Sequence, residues 1–148
     1  MLSWQALADA APELAAFGAE RLHDQVAYLA SLKRDGSPRL HPVRPVVTVG
    51  RLFVFIEATS PKVRDIERDP RFALHATATS DQPWDLREFG VEGTARRVDD
   101  RDGRYVAKTG SAFPRDERFL LYELSVASAF STTYGADGRP KRRRWPAT

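Results

Sequence analysis

Residues 52–74 read Leu-Phe-Val-Phe-Ile-Glu-Ala-Thr-Ser-Pro-Lys-Val-Arg-Asp-Ile-Glu-Arg-Asp-Pro-Arg-Phe-Ala-Leu. Two apolar runs, Leu52 to Ile56 and Phe72 to Leu74, flank a charged middle. An unbroken apolar run of this length predicts a strand buried on both faces. Ser60 suits a helix N-cap, and Pro61 suits the first helical position, where its missing N–H has no intrahelical partner to lose. Pro70 ends the helix. The unit therefore reads strand, short helix, strand. One feature departs from habit. Lys62 and Arg64 sit in the first turn, where the helix dipole is positive and Asp or Glu is favoured. Either this is a solvated helix end, or an anion lies between the cations and the free N–H groups. A phosphate fits that place, because free donors, the Ser60 hydroxyl and two cations converge on it.

Outward from this unit the chain alternates strands with turn signals. Ser3 to Ala10 and Pro12 to Gln25 predict helices with a narrow apolar stripe, a helical arm (residues 1–25) lying on one face of the rest. Val26 to Lys33 predicts a strand, and Arg34-Asp35-Gly36-Ser37 a hairpin turn, since Asp-Gly tolerates positive φ. Pro38 to Val49 is the return strand. It contains His41-Pro42-Val43-Arg44-Pro45, and each proline deletes a ladder donor, so the segment is an edge or is bulged. Such an edge leaves main-chain groups free for a flat polar ligand; it also blocks edge-to-edge pairing with another sheet. Val49-Gly50-Arg51 turns the chain into the Leu52 run. Beyond Phe72 to Ala78 come a polar loop, Thr79 to Leu86, carrying Trp84, and a long strand, Glu88 to Val98. In that strand Gly90 and Gly93 allow a bulge or a close backbone approach. Arg101 to Thr109 predicts a helix, Phe119 to Phe130 the last long strand, and Gly135-Ala136-Asp137-Gly138 a turn into a basic strand ending at Trp145. Six or seven strands in hairpin-like succession predict a mainly β fold with peripheral helices, a small antiparallel barrel (residues 26–148) in one domain.

Composition narrows the classes. The chain has 148 residues, 42% hydrophobic and 29% charged, which suits a globular domain rather than a disordered one. No apolar run is long enough to span a bilayer, and no basic n-region opens the chain, so a cytoplasmic protein without membrane contact is expected. The absence of cysteine excludes disulfides, thiolate metal sites and Cys nucleophiles. The net charge of +3 comes from the end: Arg139, Lys141, Arg142, Arg143 and Arg144 lie together, and the other 18 basic and 20 acidic residues balance at −2. A basic segment can bind nucleic acid, but it is more often a charged strand, and no nucleic-acid partner is expected. The histidines, His23, His41 and His75, lack metal-ligand spacing, and no metal is expected. His75 alternates within an apolar strand and reads as a core residue, which leaves His41 as the better cleft candidate. Trp84 and Trp145 read as packing residues that could also cover a ring.

The order of these pieces resembles the pyridoxamine 5′-phosphate oxidase-like, flavin-binding split-barrel family. The pieces are Tyr28 to Arg39, His41-Pro42-Val43, Leu52 to Phe55, Ser60 to Ile66 leading to Arg68-Asp69-Pro70-Arg71, and Val91 to Ala95. The resemblance implies a six- to seven-stranded antiparallel split β-barrel of the FMN-binding type, made as a homodimer with a flavin in each of two clefts between subunits. It implies Ser60 and Lys62 as the phosphate-binding pair, with Arg64 assisting. Pro42, Val43 and Arg44 would face the isoalloxazine ring, Phe55 and Ile56 would reach the flavin, and His41 would stand nearby. Glu88 and Phe89 would fall where the partner subunit closes the cleft. The function implied is hydride transfer on a small-molecule substrate by FMN or a deazaflavin of the 8-hydroxy-5-deazaflavin type. The alternatives are a module of the same fold that holds flavin or haem without catalysis, and a basic-tailed nucleic-acid binder. No side chain is assigned a catalytic role, because a flavin carries the hydride itself. Two departures from the family pattern bear on substrate and cofactor. The C-terminal Lys141 to Thr148 lacks the family's substrate-holding arginine pattern, which counts against pyridoxamine phosphate oxidation. Pro61 replaces an arginine often found between the serine and the lysine, which implies weaker FMN binding or a relative that uses a deazaflavin. Such relatives share a Lys-x-Arg segment before Arg-Asp-Pro-Arg, and Lys62 to Arg64 supplies one here.

Overall fold

Nine strands and four helices follow one another in residues 2–78 and 86–147, the part of the chain that the computed structural model describes. The helices α1 (Trp4–Ala10) and α2 (Pro12–Leu22) precede β1 (Ala27–Leu32), β2 (Pro38–Val43), β3 (Val46–Thr48) and β4 (Arg51–Glu57). Helix α3 (Pro61–Arg68) leads to β5 (Arg71–Ala76) and β6 (Glu88–Arg97), and α4 (Arg101–Gly110) to β7 (Phe119–Leu124), β8 (Ser128–Tyr134) and β9 (Pro140–Trp145). The Trp84 loop lies outside the described residues. Local chemistry accounts for most boundaries. Ser3 caps α1 by accepting from the Ala6 N–H, and Pro12 opens α2. Gly36, at φ +86°, closes the β1–β2 hairpin, with the Lys33 N–H bonded to the Ser37 carbonyl at 2.8 Å.

All pairings are antiparallel, in the order β2-β1-β5-β6-β7-β4-β3, with β8 added beside β6 and β9 beside β8. The result is a split barrel, mainly antiparallel sheet with four helices. Strand β6 joins its two halves. Glu88 to Thr94 pairs with β5 and β8, whereas Ala95 to Arg97 pairs with β7.

The strand count exceeds the expected six or seven because two runs are broken. Pro38 to Val49 bends at Arg44-Pro45, between β2 and β3. Phe119 to Phe130 breaks at Ser125 to Ala127, where the chain leaves the Ala95 end of β6 for its Glu92 end. There the Ser125 N–H donates to the Thr94 carbonyl at 2.9 Å and the Ala127 N–H to the Glu92 carbonyl at 2.8 Å.

The core lies between the helical arm and the sheet. Trp4, Leu7, Leu14 and Leu22 from the arm pack with Leu29, Leu74 and Val91. Phe89 belongs to this core, which corrects its expected place against a partner subunit. It is fully buried, with the Trp4 ring at 6.0 Å and the Phe17 ring edge-on at 6.3 Å. Burying such a ring contributes roughly 2–3 kcal/mol. A second cluster, Val46, Phe53, Val98, Ala107 and Leu121, sits under α4. His75 is not a core residue as its alternation suggested. It points out of β5, about two-fifths exposed, with its Nε2 3.8 Å from Glu88. Trp145 is half-buried and packs against the main core. Among the described residues no helix is long and apolar enough to cross a membrane, and no group of acids and histidines could hold a metal.

Candidate functional site

Helix α3 is held to the sheet by buried and part-buried polar contacts. Its buried face carries Asp65 and Ile66. Asp65 accepts hydrogen bonds from Arg39 Nε at 2.6 Å, Arg68 Nη2 at 2.9 Å and Ser31 Oγ at 3.0 Å. Burial opposes the Asp65 charge, but these donors outweigh it and hold the carboxyl below its ordinary range. On the next turn Glu67 accepts from the Tyr122 hydroxyl at 2.8 Å, and burial pushes that phenol's pKa up. So α3 is tied to β1, β2 and β7.

That start is the anomaly noted in the sequence. Ser60 is the N-cap, its Oγ accepting from the Lys62 N–H at 3.4 Å, and the first turn holds no acid. Lys62 is half-buried and has no ion pair or side-chain hydrogen bond among the described residues. Burial alone pushes its ammonium pKa down. A desolvated cation at the positive end of a helix dipole is costly without an anion. His41 lies close enough to feel Lys62: burial, then the charges of Lys62 and Arg39, lower its pKa, against a smaller pull from Asp65.

Lys62 and Ser60 line an open cleft of about 430 Å³. Pro42, Val43 and Arg44 enter it from the β2–β3 bend, and Phe55 and Ile56 from the end of β4. Phe55 is only half-buried, which corrects the expectation of a Leu52–Ile56 run buried throughout. Its outer side is the cleft wall. Seven of the ten expected site residues thus meet at one place. The other three do not line it. Arg64 is exposed; two residues beyond Lys62, it lies roughly 200° around the helix. His41 sits beside the cleft, and Glu88 is on the outer face of the sheet next to His75.

Val26, Glu57, Arg115 and Phe119 complete the lining. Nothing in the sequence marked them for the cleft, and Arg115 lies in a stretch, residues 111–118, that carries no periodicity. The fold brings that loop over: Asp24 accepts from Ser111 Oγ at 2.7 Å and from the Ala112 N–H at 2.8 Å. The Arg44 guanidinium then lies 4.4 Å from the centre of the Phe113 ring. Arg115 lies 5.5 Å from that of Phe119 and donates to the Phe113 carbonyl at 2.9 Å.

Beyond the cleft rim the outer face of β1 and β2 is apolar. Tyr28 pairs with Pro42, and Ala30 with Leu40. Leu40 is 68% exposed, Tyr28 43% and Val26 41%. Val26 and Pro42 belong to both this face and the cleft.

Residues 12–132 match the family model described as pyridoxamine 5′-phosphate oxidase. No curated protein sequence matches the chain. A heme binding protein from Mycobacterium smegmatis superposes with a TM-score of 0.67 and 20% identity, over 86% of this chain and 55% of that one. The chain thus spans about half the length of that protein. HutZ, the heme storage protein from Vibrio cholerae, gives 0.61 and 21%, over 78% and 89% of the two chains. PhzG from Burkholderia lata, solved in complex with tetrahydrophenazine-1-carboxylic acid, gives 0.63 and 15%, over 96% and 86%. At these identities the likeness is one of fold.

Proposed function

The chain belongs to the pyridoxamine 5′-phosphate oxidase family, and from that premise we propose that it binds a phosphate-bearing flavin, FMN or a deazaflavin, in the cleft at the start of α3 and transfers hydride to or from a small molecule. The observation that carries this reading is Lys62: half-buried, without a counter-ion among the described residues, beside a capped helix start. The cleft volume of about 430 Å³ falls in the range of ligand pockets. Its cationic end suits a phosphate, with Ser60 and Lys62 as donors and the free N–H groups of the first turn behind them. Pro42 has no N–H, so no neighbouring strand is recruited at the point where a flat ring would lie. Phe55 and Ile56 supply the apolar wall. The cofactor supplies the hydride chemistry; the chain's own residues bind it, orient it and keep water from one face.

Haem, the notable alternative in this fold, finds less support. The described lining offers no histidine, methionine, cysteine or tyrosine to an iron. Pyridoxamine phosphate oxidation is not part of the proposal; Lys141 to Arg144 lie exposed on β9 and are not in the described lining of the cleft. The active species is proposed to be a homodimer whose partner closes the cleft across the apolar face around Tyr28 and Leu40.

The test is titration of the purified protein with FMN and with a deazaflavin, read by cofactor fluorescence, for wild type, Lys62→Ala and Arg68→Ala. Lys62→Ala is expected to weaken binding by about tenfold or more, the value of one charge-assisted contact. Arg68→Ala, which touches Asp65 rather than the cleft, is expected to change it far less. Equal losses would overturn the phosphate site. Reduction of the bound flavin and its reoxidation by candidate substrates then separates an enzyme from a carrier.

A further inference from the structure

We infer that the cleft has a second anion-binding end, formed by Arg44 and Arg115, that takes the carboxylate of an aromatic or otherwise planar substrate. The inference extends the reading above from cofactor to substrate. One phosphate at Lys62 does not account for the charge in the cleft. Its lining holds three cations, Arg44, Lys62 and Arg115, against one carboxylate, the exposed Glu57. Neither guanidinium has a carboxylate partner among the described residues. The Arg44 charge acts on Asp24, but that carboxylate's oxygens are already taken by Ser111 and Ala112, with His23 Nε2 at 3.4 Å.

The two arginines are linked through one residue. The Arg44 guanidinium lies over the ring of Phe113, and Arg115 donates to its carbonyl. Both are held by neighbours. Arg44 precedes Pro45, which restricts its backbone, and the Pro45 carbonyl accepts from the Asp24 N–H at 2.8 Å. The same Asp24 holds the loop that carries Arg115. A guanidinium over a ring face can keep N–H groups free for a ligand, and its planar fork matches a carboxylate better than a point cation does. Phe55 and Phe119, on the same lining, offer flat apolar surface to the body of the ligand. A compact cation serves the phosphate and a planar pair serves a planar acid, so the two ends differ in kind.

The experiment is calorimetric titration of the full-length protein, with and without FMN, using naphthoate and its neutral amide. Naphthoate is expected to bind about tenfold tighter than the amide, and Arg44→Gln and Arg115→Gln are each expected to remove that preference. Lys62→Ala is expected to retain it while losing FMN. Equal affinity for acid and amide, or a preference that survives in both arginine variants, would overturn the inference. So would arginine variants that lose FMN as far as Lys62→Ala does while naphthoate goes unbound, since the pair would then belong to the cofactor. Should wild type bind naphthoate through the arginines yet bind no flavin, the cofactor reading falls and this one stands.

Discussion

Asp65 and Lys62 lie three residues apart on α3 and show why one was visible in the sequence and the other was not. Lys62 breaks a local rule, a cation in the first turn, and local rules can be read without the fold. Asp65 looks like any helix-surface acid; only the approach of Ser31 and Arg39 from distant strands makes it a buried anchor. Asp65→Asn removes the charge that Arg39 and Arg68 answer, and is expected to cost about 3 kcal/mol in chemical denaturation at neutral pH. The pH dependence has a definite sign. The Asp65 carboxyl titrates below its ordinary value of 3.8 when folded, so its stabilisation is complete above that value and is lost as the pH falls through the folded value. The advantage of wild type over Asp65→Asn should therefore close in acid, and a gap that stays constant down to the acid limit would refute the anchor. Val49 is the opposite case. It holds φ +49°, is 78% exposed, and precedes Gly50 at φ +68° in a two-residue turn that favours Asn-Gly. Val49→Asn is expected to raise stability by about 1 kcal/mol, seen as a higher melting temperature.

At the scale of elements, the turns were legible and the breaks were not. Asp35-Gly36, Val49-Gly50 and the Gly135 to Gly138 turn announce themselves in a few residues, and each is where it was expected. The division of Phe119 to Phe130 is different. Apolar residues run on through Val126 and Ala127, and the cause lies on another strand. Gly93 of β6 lets the chain cross so closely that an added Cβ would collide with the Ser125 carbonyl. The crossing lets β6 serve both halves of the barrel, with Thr94 N–H bonded to Ser125 Oγ at 3.0 Å. Gly93→Ala is expected to cost about 2–3 kcal/mol, because backbone must move to relieve the contact. Gly90→Ala meets only the half-buried Phe130 ring, which can rotate away, and should cost clearly less. Denaturation midpoints that rank the two in reverse order would show that β6 does not tie the halves together at Gly93.

For the molecule as a whole, the family was readable from five short pieces in order, and the family match reaches further, over residues 12–132, taking in the helix α2 that packs on the sheet. A homodimer was implied only by that resemblance, since no residue pattern declares a partner, and it stays a proposal with one physical argument behind it. A half-exposed apolar strip around Tyr28 and Leu40 is a poor surface to leave in water, and it runs into the cleft through Val26 and Pro42. If two copies meet there, each covers the open side of the other's cleft, and assembly and cofactor binding become linked. Wild type is then expected to elute as a dimer by size exclusion with light scattering. Leu40→Lys, a change on an exposed strand position that leaves the core untouched, is expected to give a folded monomer whose FMN affinity falls by about tenfold or more. The two halves of this expectation fail separately. A Leu40→Lys dimer would place the interface elsewhere, whereas a monomer that keeps wild-type affinity would mean that one chain alone builds the site.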